Sequence, residues 1–335
     1  MTLIALDAMG GDFAPRAPVE AALRATREEG CEVTLVGERE TLENELRRQG
    51  HGGALPIRHA GSFIGMEESP AEALRRKPDA SLRVAFEMVR AGEAQGIVSA
   101  GHTGALMIAG KLVLGTIEGV DRPAIATHLP HRRGVSILLD SGANVDCKPF
   151  YLLQFAKMGT AYARLVLKKE RPQVALLNIG SEPGKGNELT RQAFALLESS
   201  SLALVGNLEP RELFRGKADV IVCDGFAGNL VLKTAEAAGQ QFRLMLKEAG
   251  FRSPLGRLGQ WLLRGFFREL DQRADYREVG GSLLLGLRGN AIVCHGGSGP
   301  RPLQNAIHLA AQCAERGLVA EIAREFGRLQ GQASA

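Results

Sequence analysis

Short apolar runs without polar alternation recur from end to end of this chain, and most are followed by a segment of helical period. Leu3–Leu6, Cys31–Val36, Gly96–Ala100, Val174–Ile179, Asp219–Cys223 and Ala291–Cys294 are the clearest. A strand covered on both faces loses its alternation, because both sets of side chains meet apolar neighbours. The pattern predicts an α/β fold: a three-layer αβα sandwich with a largely parallel sheet. Pro56–His59 and Ala203–Val205 add weaker strands, and Ile125–His128 pairs with Gly134–Leu139. Ala291–Cys294 reads as the last strand, and Gly61–Pro78 as an irregular loop over the site. With no fixed-period repeat and no long linker, residues 1–335 read as a single catalytic unit.

Composition narrows the partners. Aromatic residues make up only 5% of the chain, too few for base-stacking platforms, and the net charge of +4 is spread without a dense basic stripe. Nucleic acid is therefore not an expected partner. The five cysteines, Cys31, Cys147, Cys223, Cys294 and Cys313, form no C-x-x-C pair. That argues for a reducing compartment and against zinc or a disulfide framework. The first residues lack the basic start and long apolar core of a signal peptide, and no apolar run reaches the roughly 18–20 residues of a membrane span. The expectation is a cytoplasmic protein with no metal.

Six strand ends carry a turn of small residues with a polar group: Asp7/Asp12, His102/Thr103, Asp140/Asn144, Lys185/Asn187, Asp224/Asn229 and His295/Ser298. In a parallel sheet such turns gather along the carboxyl edge, where ligands of open α/β sheets bind. The stretch from Leu176 to Glu188 has the parts of an anion site: a buried strand, a glycine turn holding Lys185, and a helix start. It lacks the spacing of a P-loop, and an ordinary βα turn with a solvated lysine is the other reading. Taken singly, each of the six turns is also explained by the turn-forming habit of Gly, Asp and Asn. His102 and His295 are acid/base groups, phosphate donors or hydrogen-bonded structural histidines. Cys223 and Cys294 end strands, either as nucleophiles or as small apolar filler. The first turn, Gly10-Gly11-Asp12, lacks G-x-G-x-x-G, and Glu32 alone does not make a dinucleotide site.

Taken in order, the turns resemble one family. Asp7-Ala8-Met9-Gly10-Gly11-Asp12, Ser99-Ala100-Gly101-His102-Thr103-Gly104-Ala105 and Leu139-Asp140-Ser141-Gly142-Ala143-Asn144 come first. Gln154-Phe155-Ala156-Lys157-Met158-Gly159, Lys185-Gly186-Asn187, Gly206-Asn207-Leu208-Glu209, Asp224-Gly225-Phe226-Ala227-Gly228-Asn229 and Gly280-Gly281 follow. This series is similar to the PlsX-type phosphate acyltransferases of bacterial phospholipid synthesis. The resemblance implies a fold similar to the phosphotransacetylases and isopropylmalate dehydrogenases, a homodimer, and no cofactor. It implies transfer of an acyl group from acyl carrier protein to inorganic phosphate. The acyl phosphate would then feed a membrane glycerol-3-phosphate acyltransferase that makes phosphatidic acid.

For that chemistry, Lys185 with Gly184, Gly186 and Asn187 is the first phosphate site, and His295 with Ser298 the second. Asn229, Asn144 or His102 is the oxyanion donor, and Lys233 adds charge one helical turn after Asn229. Thr103 and Asp12 complete the binding set, while Asp224 and Asp140 orient donors. Three features depart from the family pattern: His102 in place of Asn, a short Ser181–Gly184 segment, and the ending Cys294–Pro300.

A helical insertion is expected at 250–280. On a helix, Leu262, Phe266 and Phe267 share one face, Arg264 lies opposite, and Trp261 sits at the border. This pattern suits peripheral membrane contact, and equally a helix packed at a dimer interface or on the core. Two rival readings remain: a nicotinamide-dependent dehydrogenase of related fold, and a carrier-protein scaffold without catalysis.

Overall fold

The computed structural model describes residues 2–131, 133–251, 265 and 280–333. Trp261, Leu262, Arg264, Phe266 and Phe267, with most of the expected 250–280 insertion, lie outside the described residues. The first half runs β1 (Leu3–Asp7), α1 (Arg16–Glu29), β2 (Glu32–Gly37), α2 (Arg39–Arg48), β3 (Ile57–His59), α3 (Pro70–Arg76), α4 (Ser81–Arg90), β4 (Gly96–Ser99) and α5 (Thr103–Val113). Then come β5 (Ala124–His131), β6 (Gly134–Leu139), α6 (Pro149–Leu165), β7 (Gln173–Leu177), α7 (Glu188–Glu198), β8 (Ala203–Leu208), a 3-10 turn (Pro210–Arg215) and β9 (Val220–Val222). The remainder is α8 (Gly225–Phe251), β10 (Ser282–Leu285), β11 (Asn290–Val293), α9 (Pro300–Glu315) and α10 (Leu318–Ala333).

All the strands join one 11-stranded sheet, in the order β3-β2-β1-β4-β11-β10-β5-β6-β9-β7-β8. The apolar runs are buried on both faces. In β1, Ile4 and Leu6 pack into one core layer with α1, α6 and α9. Ala5, between them, faces the other layer with Phe86 of α4 and Leu106 of α5. In β7, Val174 and Leu176 face the first layer, and Ala175 and Leu177 a third cluster beside α8. Helices therefore cover the sheet on both sides, as the continuous apolar runs predict.

The sheet differs from expectation in one respect that governs the site. β3-β2-β1-β4-β11 form one parallel block and β6-β9-β7-β8 another. Between the blocks, β10 is antiparallel to β11 and to β5, and β5 is antiparallel to β6. Three reversals leave the blocks running in opposite directions. The turns after β1, β4 and β11 therefore do not share a carboxyl edge with those after β6, β7 and β9. The sequence reading missed β10, a four-residue run directly after Gly280-Gly281. It also left Gly61–Pro78 irregular, whereas Pro70–Arg76 forms α3, opened by a proline in its first turn.

Candidate active site

The two blocks meet where β6 stops short. Leu139 pairs with Ala126 in mid-sheet, while β10 begins at Ser282 opposite Val293, the last residue of β11. Above this junction lies a cavity of about 260 Å³. Thr103, His295 and Ser298 come to it from the first block, and Ser141, Gly142, Asn229, Leu232, Lys233 and Glu236 from the second. Ile125 and Thr127 of β5 and Gly281 and Ser282 at the start of β10 complete the floor. Register across the reversed strands, rather than a shared edge, gathers these groups.

A buried carboxylate shapes each side. Asp140, 0% exposed, accepts N–H bonds from Ile125, Gly142 and Ala143 at Oδ1 (3.0, 3.1 and 3.0 Å), and from Asn144 N and Nδ2 at Oδ2 (2.6 and 3.0 Å). It thus ties β5 to the turn that carries Ser141 and Gly142. Gly142 has φ +143°, a region that a side chain would strain. Asp7 does similar work after β1. Its Oδ2 accepts the Ser99 hydroxyl at 2.7 Å, and Ser99 Oγ in turn accepts Gly101 N at 3.0 Å. Burial pushes both carboxyls up, while the amides and hydroxyls around them pull the other way. The α8 helix approaches closely through Gly228, where a Cβ would overlap the Asp140 carbonyl and lie 2.9 Å from Cys223 Sγ.

Among the residues named from sequence, Thr103, Asn229, Lys233, His295 and Ser298 come together around this cavity. The side chains of Thr103, Asn229 and Ser298 are not hydrogen-bonded to other described residues, so their polar groups are free for a ligand. Lys233 Nζ sits 3.1 Å from Glu236 Oε2. His295 Nδ1 accepts Gly297 N at 3.0 Å, and His102 Nδ1 accepts Gly104 N at 3.1 Å, capping α5. In both rings this places the proton on Nε2, so each offers a donor and neither has a lone pair free to act as a base.

The other named residues stand elsewhere. Asn144 spends its amide on Pro123 O at 2.8 Å and on Asp140. Asp224 Oδ1 caps the first turn of α8 by accepting Ala227 N at 2.8 Å. Asp12 is exposed against the Gly296 turn, whose carbonyl accepts Asp12 N at 2.9 Å. Gly184, Lys185, Gly186 and Asn187 follow β7, outside the cavity lining. Asn187 caps α7 by accepting Thr190 N at 2.9 Å, and Asn178 Nδ2 holds the Lys185 carbonyl at 3.0 Å. The Lys185 side chain is 54% exposed, 4.0 Å from Glu182. It ends the same parallel block as Asn229, but one strand further from the junction.

The two cysteines that end strands beside the site are poor nucleophiles. Burial pushes the Cys294 thiol up to about 12 and holds the Cys223 thiol well above its ordinary value. Sequence reasoning missed Thr127, Ser141 and Ser282. In sequence Thr127 and Ser282 are single hydroxyls in or beside apolar strands, Ala124-Ile125-Ala126-Thr127 and Ser282-Leu283-Leu284-Leu285, a pattern that does not mark a site by itself.

A continuous sheet with two opposed parallel blocks, and a donor-lined cavity at their junction, defines an α/β protein of the phosphotransacetylase fold. The structure matches a phosphotransacetylase from Streptococcus pyogenes with TM-score 0.64 and 18% identity, over 94% of each chain. It matches a branched-chain phosphotransacylase from Enterococcus faecalis V583 with TM-score 0.60 and 14% identity, over 94% of this chain and 99% of that one. At such identities the likeness concerns the fold.

Sequence gives the family. The chain belongs to the fatty acid synthesis protein family, whose model matches residues 2–321, and so to the PlsX-type phosphate acyltransferases. A phosphate acyltransferase from Geobacter sulfurreducens is 46% identical, covering 96% of this chain and 94% of its own. One from Desulforamulus reducens is 46% identical, covering 96% of each.

Proposed function

We propose that this chain transfers the acyl group of an acyl-[acyl carrier protein] thioester to inorganic phosphate in the junction cavity, releasing acyl phosphate and free carrier protein. A phosphate oxygen attacks the thioester carbon, the C–S bond breaks, and the departing thiolate takes its proton from solvent. The observation that carries this reading is the wall of unspent donors formed by Thr103, Asn229 and Ser298 beside Lys233. An ionised phosphate needs donors and charge but no base; in the cavity the Glu236 carboxylate is paired with Lys233 and His295 Nδ1 accepts Gly297 N. Asn229 is the amide left free to meet the oxyanion, since Asn144 is already committed and His102 is not among the cavity's lining residues. Two neutral, buried thiols support direct transfer without an acyl-enzyme.

The product would serve a membrane glycerol-3-phosphate acyltransferase on the way to phosphatidic acid. α8 exposes Phe226, Leu230, Phe242 and Met245, an apolar set that a second copy of the chain would cover in a homodimer. Peripheral membrane contact through residues 261–267 belongs to the same reading, and no described helix is long and apolar enough to cross a membrane.

The test is release of free thiol from palmitoyl-carrier protein with and without phosphate, for wild type, Lys233→Ala and Lys185→Ala. Release that requires phosphate, with a phosphate KM raised in Lys233→Ala, supports the cavity. A KM raised only in Lys185→Ala moves the phosphate to the turn after β7. Release indifferent to phosphate refutes the transferase.

A further inference from the structure

Three hydroxyls on the cavity floor form a chain, and with all three of its contacts made at once its protons have one arrangement. Ser141 Oγ lies 3.1 Å from the Ile125 carbonyl oxygen, Thr127 Oγ1 2.6 Å from Ser141 Oγ, and Ser282 Oγ 2.8 Å from Thr127 Oγ1. Each hydroxyl has one proton and two lone pairs. The carbonyl, which also accepts Ser141 N at 3.0 Å, has no proton to give, so in the complete chain Ser141 donates to it. Thr127 must then donate to Ser141, and Ser282 to Thr127. All three protons are spent inward. Ser282, half-buried at the end of the chain, therefore turns lone pairs toward the cavity. Elsewhere in the lining, Thr103, Asn229 and Ser298 offer unspent donors.

We propose that this hydroxyl chain selects hydrogen phosphate over fully ionised tetrahedral anions, with Ser282 accepting the proton that phosphate carries. The proposal rests on the cavity being the phosphate site. Near neutral pH inorganic phosphate keeps a proton on at least one oxygen, whereas sulfate has none. A sulfate oxygen would meet the lone pairs of Ser282. Ser282 can turn its own proton outward only by giving up its bond to Thr127, and Thr127 is 1% exposed, with no water to replace that bond. The same contact orients the nucleophile. With its protonated oxygen on Ser282, phosphate is left with its unprotonated oxygens for the lining donors and for attack on the thioester carbonyl. Asp140 positions this device, because its carboxylate fixes the turn that holds Ser141.

Thr127→Val keeps the shape and removes the link, freeing the Ser282 proton. The experiment measures the phosphate KM and the competitive inhibition constant of sulfate in thiol release, for wild type, Thr127→Val and Thr127→Ser. In wild type sulfate should bind much more weakly than phosphate. In Thr127→Val the ratio of the sulfate constant to the phosphate KM should fall about tenfold, the cost of one misdirected hydrogen bond. Thr127→Ser should restore it. Should Thr127→Val fail to fold, Ser282→Ala removes the acceptor directly and should lower the ratio in the same direction. Equal competition by sulfate in wild type, or parallel shifts of both constants in the variants, overturns the selection. If wild type shows no phosphate-dependent release at all, the phosphate site and the selection fall together. Phosphate-dependent release with an unmoved ratio removes the selection alone.

Discussion

Replacing Asp140 with asparagine changes one oxygen to an amino group and tests the scaffold of the cavity. Oδ1 holds three backbone N–H groups and Oδ2 holds two N–H groups of Asn144. Whichever end the new amino group takes, at least two N–H bonds to a charged acceptor are lost and donors face donors. Such bonds contribute about 1.5–3 kcal/mol each, so the expected loss is about 3–6 kcal/mol. No solvent can compensate, because Asp140 is 0% exposed. At about 2 °C per kcal/mol for a chain of this size, the melting temperature should fall by roughly 6–12 °C. Urea unfolding at pH 7 gives the free-energy difference and calorimetry the temperature. Turnover should also fall in whatever fraction stays folded, since Ser141 and Gly142 line the cavity. A variant within about 0.5 kcal/mol of wild type, the scatter of ordinary surface changes, would refute this role for the carboxylate.

Two further predictions concern groups outside the reacting set. His128 is buried in the core, its Nε2 2.7 Å from the Tyr162 hydroxyl, and burial lowers its pKa from 6.5 to about 4. The unfolded chain therefore takes up a proton below pH 6.5 that the folded chain refuses. The stability His128 contributes is complete above that pH and is lost as pH falls through 6.5 toward 4, an effect of about 3 kcal/mol. His128→Gln should flatten that part of the pH profile in urea unfolding, and an unchanged profile would count against it. Cys294→Ala should retain phosphate-dependent thiol release, and rapid quenching with radiolabelled acyl donor should find no label on wild-type protein. A trapped acyl-cysteine would require a two-step mechanism.

The fold was legible because the apolar runs are long-range facts about burial: Ile4, Ala5 and Leu6 are apolar in succession because both faces of β1 are covered. The direction of each strand was not legible. Direction depends on which strands pair, and the deciding strand, β10, is four residues long and shows nothing that separates it from a buried helical turn. The convergence of all six turns on one edge failed with it. Thr103, Asn229, Lys233, His295 and Ser298 could be named from their turns and helix spacing, and the register of β5, β6 and β10 gathers them. Thr127 and Ser282 could not be named, because a single hydroxyl in an apolar strand signals nothing until its neighbours across the sheet are known. Asn144, Asp224 and Asn187 resemble ligand-binding residues in sequence because caps and turns use the same polar side chains that ligands do.

The proposed passage of the acyl group to phosphate in the junction cavity is tested most directly by the kcat of Asn229→Ala for phosphate-dependent thiol release. Asn229 is exposed on α8 and is not bonded to its described neighbours, so its removal should leave the fold and melting temperature unchanged. Loss of one oxyanion donor should lower kcat by about 10²–10³. A variant that folds as wild type and turns over at the wild-type rate would place the chemistry outside this cavity and contradict the account.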